Sequence, residues 1–109
     1  MNTAQYISIG GRQEVNPAEV VMLQAEINYT VVYFANGRKT IVATPLKTLE
    51  GRFSSYDFFR THKSYMVNLK CVAFLHEATN VVQMTDNHKV IVSRRKRTRL
   101  KEYLHLRTV

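Results

Sequence analysis

At 109 residues and 45% hydrophobic content, the chain suffices for one domain with a small core and is too apolar for a disordered segment. A formal net charge of +8 points to a polyanionic partner, either nucleic acid or an anionic membrane surface. Cys71 is the single cysteine, which excludes an internal disulfide and suits a reducing cytoplasm; no apolar run reaches the length of a membrane span, and the N-terminus lacks the order of a signal peptide.

The chain reads as a series of short strands with one middle helix and one terminal helix. Gln5 to Ile9 is strand-like, Gly10-Gly11 is a turn signal, and Arg12 to Val15 fits the return strand. Asn16-Pro17 reads as a cap followed by proline at a first helical position, and the apolar run Val20 to Leu23 follows at once. Tyr29 to Phe34, YTVVYF, is the strongest strand by residue type. Asn36-Gly37 then predicts a hairpin turn onto Lys39 to Ala43. Thr44-Pro45 opens a helix, with threonine as the cap and Leu46, Leu49 and Phe53 as one apolar stripe. Gly51 and Ser54-Ser55 weaken and end it.

Phe58 to Asn68, FFRTHKSYMVN, sets donors in an apolar frame. As a strand it would turn Arg60, His62 and Ser64 to one face and Phe59, Thr61 and Lys63 to the other. Several donors on one surface suit phosphates and base edges; an ordinary strand with a wet side is the plainer alternative. Leu69 to Leu75 is a further strand, turned back by Ala78-Thr79-Asn80. Val81 to Met84 and Lys89 to Val92 make a last hairpin about Asp86-Asn87.

Ser93 is a candidate cap for a terminal helix with a short stripe of Leu100, Tyr103 and Leu104. From Ser93 onward, Arg94, Arg95, Lys96, Arg97, Arg99, Lys101 and Arg107 stand against Glu102 alone, so most of the excess charge lies here. Cations at a helix N-terminus oppose its dipole, a cost that makes sense if an anion arrives there. No internal repeat, low-complexity tract or linker is evident, and residues 1–109 read as a single domain.

No catalytic or metal-binding constellation is evident. His62, His76, His88 and His105 lack metal-ligand spacing, and one cysteine does not build a thiolate-rich zinc site. There is no glycine-rich phosphate loop, and Asp57 has no partner carboxylate. His62 beside Ser64 lacks an orienting acid and an oxyanion loop. No enzyme activity, metal or cofactor is expected.

FFRTHKSYMVNL, Phe58 to Leu69, resembles the signature of the LytTR family, the DNA-binding domains that end many bacterial response regulators. Val20 to Tyr33, with Asn28-Tyr29, is similar to the family's first core strand pair, and IVSRRKRTRL, Ile91 to Leu100, to its strand-to-helix ending. The helix of Pro45 to Phe53 falls where the family has one, and the likeness spans roughly Val20 to Leu104, with no clear counterpart before it. The resemblance implies a mainly β fold of short antiparallel strands in stacked sheets, with loops rather than a recognition helix entering the major groove. DNA contacts are implied at Asn28, Tyr29 and Thr30, at His62, Lys63 and Ser64, and at Arg94 and Arg95. Lys63 stands where the family commonly has arginine, which makes a forked contact a point charge. Members bind imperfect direct repeats of double-stranded DNA as two copies and act as transcriptional regulators in the bacterial cytoplasm.

Residue chemistry adds roles beside this. Arg95 suits the guanine O6/N7 pair, while Arg60, Lys63, Arg94 and Arg97 suit phosphates. Asn28 suits adenine or phosphate, Tyr29 a ring packed in the sheet, and Asn68 a structural turn. A monomer in solution is expected, since no heptad run is present. Two rival functions are a small-barrel binder of single strands, which needs aromatics along one groove, and a basic protein-interaction module.

Overall fold

A computed structural model describes residues 5–104 and not the terminal residues on either side, so His105 and Arg107 fall outside the description. In chain order the elements are β1 (Ile7–Gly10), β2 (Gln13–Val15), β3 (Val20–Ala25), β4 (Thr30–Phe34), β5 (Lys39–Val42), α1 (Leu46–Phe53), β6 (Phe58–His62), β7 (Tyr65–Asn68), β8 (Val72–His76), β9 (Val81–Met84), β10 (Lys89–Ile91) and α2 (Arg94–Leu104). All pairings are antiparallel, as expected for strands joined by short turns. They form a two-stranded sheet (β1-β2), a five-stranded sheet (β5-β4-β3-β7-β6) and a three-stranded sheet (β10-β9-β8). The expected mainly β fold in stacked sheets, with a middle and a terminal helix, is what the chain adopts.

The five-stranded sheet is covered on both faces. One face packs Val20, Leu23, Val32 and Met66 against Leu46, Leu49 and Phe53 of α1 and Ile7, Ile9 and Val15 of the β1-β2 hairpin. The other packs Val21, Met22 and Val67 against the three-stranded sheet and Leu100 and Leu104 of α2. Burial of each such side chain contributes roughly 1.5–3 kcal/mol. Strict alternation would put Val20 and Met22 on one face. A register shift between them makes Val21 an extra residue, so Val20 and Leu23 serve one core and Val21 and Met22 the other. Four successive buried apolar residues are thereby shared between two cores.

The order of elements runs twice through one plan: a hairpin, a single 3-10 turn, a three-stranded meander and a helix. The first pass is β1 to α1 and the second β6 to α2. The agreement extends to detail. Asn16 and Asn68 precede the two 3-10 turns, and each side chain accepts from the backbone N–H two residues on. The first hairpin shifts register between Ser8 and Gly10, the second between Arg60 and His62. β3 shifts between Val20 and Met22, β8 between Val72 and Phe74. Ala35 N–H donates to Glu19 O at 2.9 Å, and Thr85 N–H to Cys71 O at 2.8 Å. Gly37 and Asn87 supply the positive φ (88° and 74°) that closes each meander hairpin. Contrary to the sequence reading, the chain is therefore internally repeated in structure.

Four other local expectations change. Phe58 to Asn68 is a hairpin, β6-β7, that reverses at Lys63-Ser64. Thr61 is the extra residue of its bulge, and Arg60 faces Met66 while His62 faces Tyr65, so Arg60 and His62 fall on opposite faces. Leu69–Cys71 is the 3-10 turn before β8 rather than strand. Thr44 does not cap α1: Pro45 stands at that position, and the Thr44 hydroxyl donates to Ile9 O at 2.7 Å. Ser93 caps α2 through its carbonyl, which accepts from Lys96 N–H at 3.0 Å, while its hydroxyl is buried without a partner.

Candidate nucleic-acid interface

Two backbone hydrogen bonds bring three segments together. Ala25 N–H donates to Ser64 O (2.8 Å), which sets the β3-β4 turn beside the β6-β7 turn. Ser93 N–H donates to Thr61 O (2.9 Å), which sets the start of α2 against the bulge of the same hairpin. The 26–30, 62–64 and 93–96 segments thus share one edge of the molecule.

In the β3-β4 turn, Glu26 N–H donates to Tyr29 O (2.8 Å), leaving Ile27 and Asn28 as the tip. Asn28 and Tyr29 are exposed, so Tyr29 does not pack its ring into the sheet. Thr30 is 0% exposed, and its hydroxyl donates to Thr44 O at 2.7 Å; its side chain ties the turn to the start of α1.

The β6-β7 turn is held from inside. Arg60 Nε donates to His62 O (3.0 Å), its Nη2 to Lys63 O, and its Nη1 to Glu50 Oε1 of α1 (2.8 Å). A guanidinium has donors in a fixed fork, so one side chain satisfies two turn carbonyls and a carboxylate at once. His62 Nδ1 accepts from Ser64 N–H at 3.1 Å. In a neutral ring that leaves the proton on Nε2, and His62 presents a donor. Lys63 is exposed at the tip, and Ser64 is half-buried.

At the start of α2, Arg94 and Arg95 are exposed. Residues two apart on a helix point to different sides, and Arg97 turns toward the β8-β9 turn, where its Nη1 donates to Asn80 Oδ1 (3.0 Å) and Glu77 O (3.3 Å). Asn68 is buried and structural, donating from Nδ2 to Val20 O at 2.9 Å.

Glu50, Arg60, His62, Lys63, Ser93, Arg95 and Lys96 line one open cleft along this edge. Burial pushes the Lys96 ammonium below the ordinary lysine range; Glu50 opposes the shift, and the like charges of Arg60, Arg95 and Arg99 add to it. The first turn of α2 has no acidic residue, so four cations meet the positive helix end without a counter-charge there. Such an edge favours an anion and offers donors to base edges. Sequence reasoning missed Lys96, Glu50 and Ile27. Lys96 sat inside the basic run without a distinguishing spacing, and Glu50's pairing with Arg60 crosses from a helix to a strand. Among the described residues, no group of three or more His, Cys, Asp or Glu side chains is placed to hold a metal ion, and no helix is long and apolar enough to cross a membrane.

The family model of the LytTr DNA-binding domain matches residues 12–105. It reaches back past Val20, where the motif resemblance starts, and so takes in β2 and the first 3-10 turn. No curated protein sequence matches. Among solved structures, a LytTr DNA-binding domain described as that of a methyl-accepting/DNA response regulator from Bacillus cereus aligns with a TM-score of 0.75 at 18% identity. The alignment covers 97% of this chain and 100% of that one, and the fold is shared over its length.

Proposed function

Since the chain belongs to the LytTr DNA-binding domain family, we propose that it recognises specific sequences in double-stranded DNA as a transcriptional regulator, with the β3-β4 and β6-β7 turns entering the major groove beside the start of α2. The observation that carries this reading is the pair of backbone bonds, Ala25–Ser64 and Ser93–Thr61, that gathers donors from three separate segments at one edge. On this reading Arg95 reads guanine, and His62 and Asn28 offer further base contacts. Lys63 and Arg94 hold phosphates, with Ser64 and Tyr29 at the margin. Arg60 and Thr30 act from within, by fixing the turns. Arg97 has donors left over from its bonds to the β8-β9 turn for a phosphate. Two copies on imperfect direct repeats complete the proposal.

Selection of bound sequences from random duplex DNA tests it. Enrichment of a defined motif, bound in preference to its separated single strands, is the expected result. Preference for the single strands would instead favour a stacking surface. That alternative is poorly served here, because of the exposed aromatics Tyr6, Tyr29, Phe74 and Tyr103 only Tyr29 borders the candidate edge. No duplex binding even at low salt would sink the proposal.

A further inference from the structure

Ile27 stands at the tip of the β3-β4 turn with 96% of its surface exposed, the most of any large hydrophobic side chain among the described residues. Neighbouring Glu26, Asn28 and Tyr29 are exposed too, so no part of the fold shelters it. The repeated architecture builds the corresponding turn of its second half without such a tip. Gln24 and Val31 pair across β3-β4 as His76 and Val81 pair across β8-β9. The first pair is joined through residues 25–30 and the second through 77–80, two residues fewer. The longer turn is the one that lies beside His62, Lys63 and Ser64, held there by the Ala25–Ser64 bond. An unsheltered isoleucine on a longer turn, held beside the donors of the neighbouring hairpin, is placed to meet an apolar group on an otherwise polar ligand.

The major groove offers one such group on its base edges, the C5-methyl of thymine. We propose that Ile27 packs on a thymine methyl and sets a preference for thymine at one position of the bound site. The inference rests on the major-groove reading above. It adds an apolar specificity contact to the donors that surround it, and it makes the two halves of the tip complementary. Asn28 faces hydrogen-bonding base edges while Ile27 meets the groove's methyl.

Deoxyuridine tests this directly, since it retains thymine's pairing and O4 acceptor and lacks only the methyl. The wild-type chain and Ile27→Ala are titrated on a duplex selected from random DNA and on versions in which each thymine in turn becomes deoxyuridine. At one position, loss of the methyl should weaken wild-type binding about fourfold, the worth of one buried methyl group, and leave Ile27→Ala unaffected. Ile27→Ala should bind the unmodified duplex more weakly by a similar factor. The variant's fold is not at issue, because the side chain contacts no core. Overturning results are an Ile27→Ala variant that binds every duplex as the wild type does, one that loses the same factor on thymine and deoxyuridine duplexes, or a wild-type chain indifferent to every methyl. If the wild-type chain selects no duplex at all, it is the functional reading that fails.

Discussion

Arg95 and Arg97 differ in what their guanidiniums already touch. Arg95 is exposed at the cleft, whereas Arg97 bonds Asn80 and Glu77. Arg95→Ala should therefore cost roughly 1–3 kcal/mol on a selected site and much less on scrambled duplex. Arg97→Ala should weaken both duplexes alike and also lower stability by about 1 kcal/mol through the lost tie to the β8-β9 turn. Titration on both duplexes with parallel urea unfolding separates the two; an equal loss for Arg95→Ala on both would reduce it to a backbone contact. Lys96 presents the opposite balance. Its lowered pKa means the unfolded chain holds that proton more tightly than the folded one, so the cost to stability is fully present below the folded value and falls away as pH rises through it toward the ordinary lysine range. Lys96→Met should raise the unfolding midpoint at neutral pH and weaken duplex binding, and the stability gain should shrink in strongly alkaline buffer. A midpoint that drops at pH 7 would contradict the burial argument.

At the scale of elements, the two asparagine-led 3-10 turns invite comparison. Asn16 Oδ1 accepts from Ala18 N–H at an exposed site, whereas Asn68 is buried and both accepts from Lys70 N–H and donates to Val20 O. Asn16→Ala should cost about 1 kcal/mol and Asn68→Ala about 2–3 kcal/mol, since the second also strips a buried carbonyl of its partner. Denaturant midpoints at constant slope would show this ordering; equal losses would mean the Val20 contact contributes nothing. Strand positions were legible in the sequence wherever turn chemistry was explicit, as at Gly10-Gly11, Asn36-Gly37 and Asp86-Asn87. The stripe of Leu46, Leu49 and Phe53 likewise gave α1. The reversal at Lys63-Ser64 was not legible, because lysine is no turn former and serine only a weak one, and no glycine, proline, asparagine or aspartate marks the spot. The repeat was also hidden: Val31, Val32, Lys39, Ile41 and Val42 recur as Val81, Val82, Lys89, Ile91 and Val92, but the shorter second turn breaks their spacing from Val20 and Leu23 and from Val72 and Leu75. Of the candidate interface segments, 62–64 and 93–96 were legible from their donors and charge, and 26–30 only through the family signature. Ile27 carried no signal, since an isolated exposed isoleucine is visible only in three dimensions.

For the whole molecule, charge is distributed unevenly across a fold whose cores are separate from it. The basic start of α2 and Lys63 lie at one edge, and if Lys63, Arg94, Lys96 and Arg97 meet phosphate, binding should fall with a log–log salt slope of about −4. A nearly flat slope would dissociate the net charge of +8 from the ligand. The same charge should keep free chains apart, so sedimentation without DNA should give a monomer, with two copies appearing only on a duplex carrying both half-sites. A stable dimer without DNA would mean that an exposed apolar group such as Phe74 or Ile91 pairs copies.

The doubled plan has a further consequence at one pair of matching turns. In the first pass the hairpin ends in Gly10-Gly11, and Gly10 lies so near Thr44 that an added Cβ would come within 2.2 Å of its hydroxyl oxygen. In the second pass the same station, with the same register shift, ends in His62 and Lys63 and stands open beside α2. One backbone path thus serves once as a sealed joint and once as an open tip at the candidate interface. Main-chain bonds, Arg60 and the His62 ring, which accepts from Ser64 N–H, hold the open copy in shape, so the exposed Lys63 side chain carries little of the burden of folding. An exposed side chain such as Lys63 is therefore free to change its chemistry while the backbone path stays fixed.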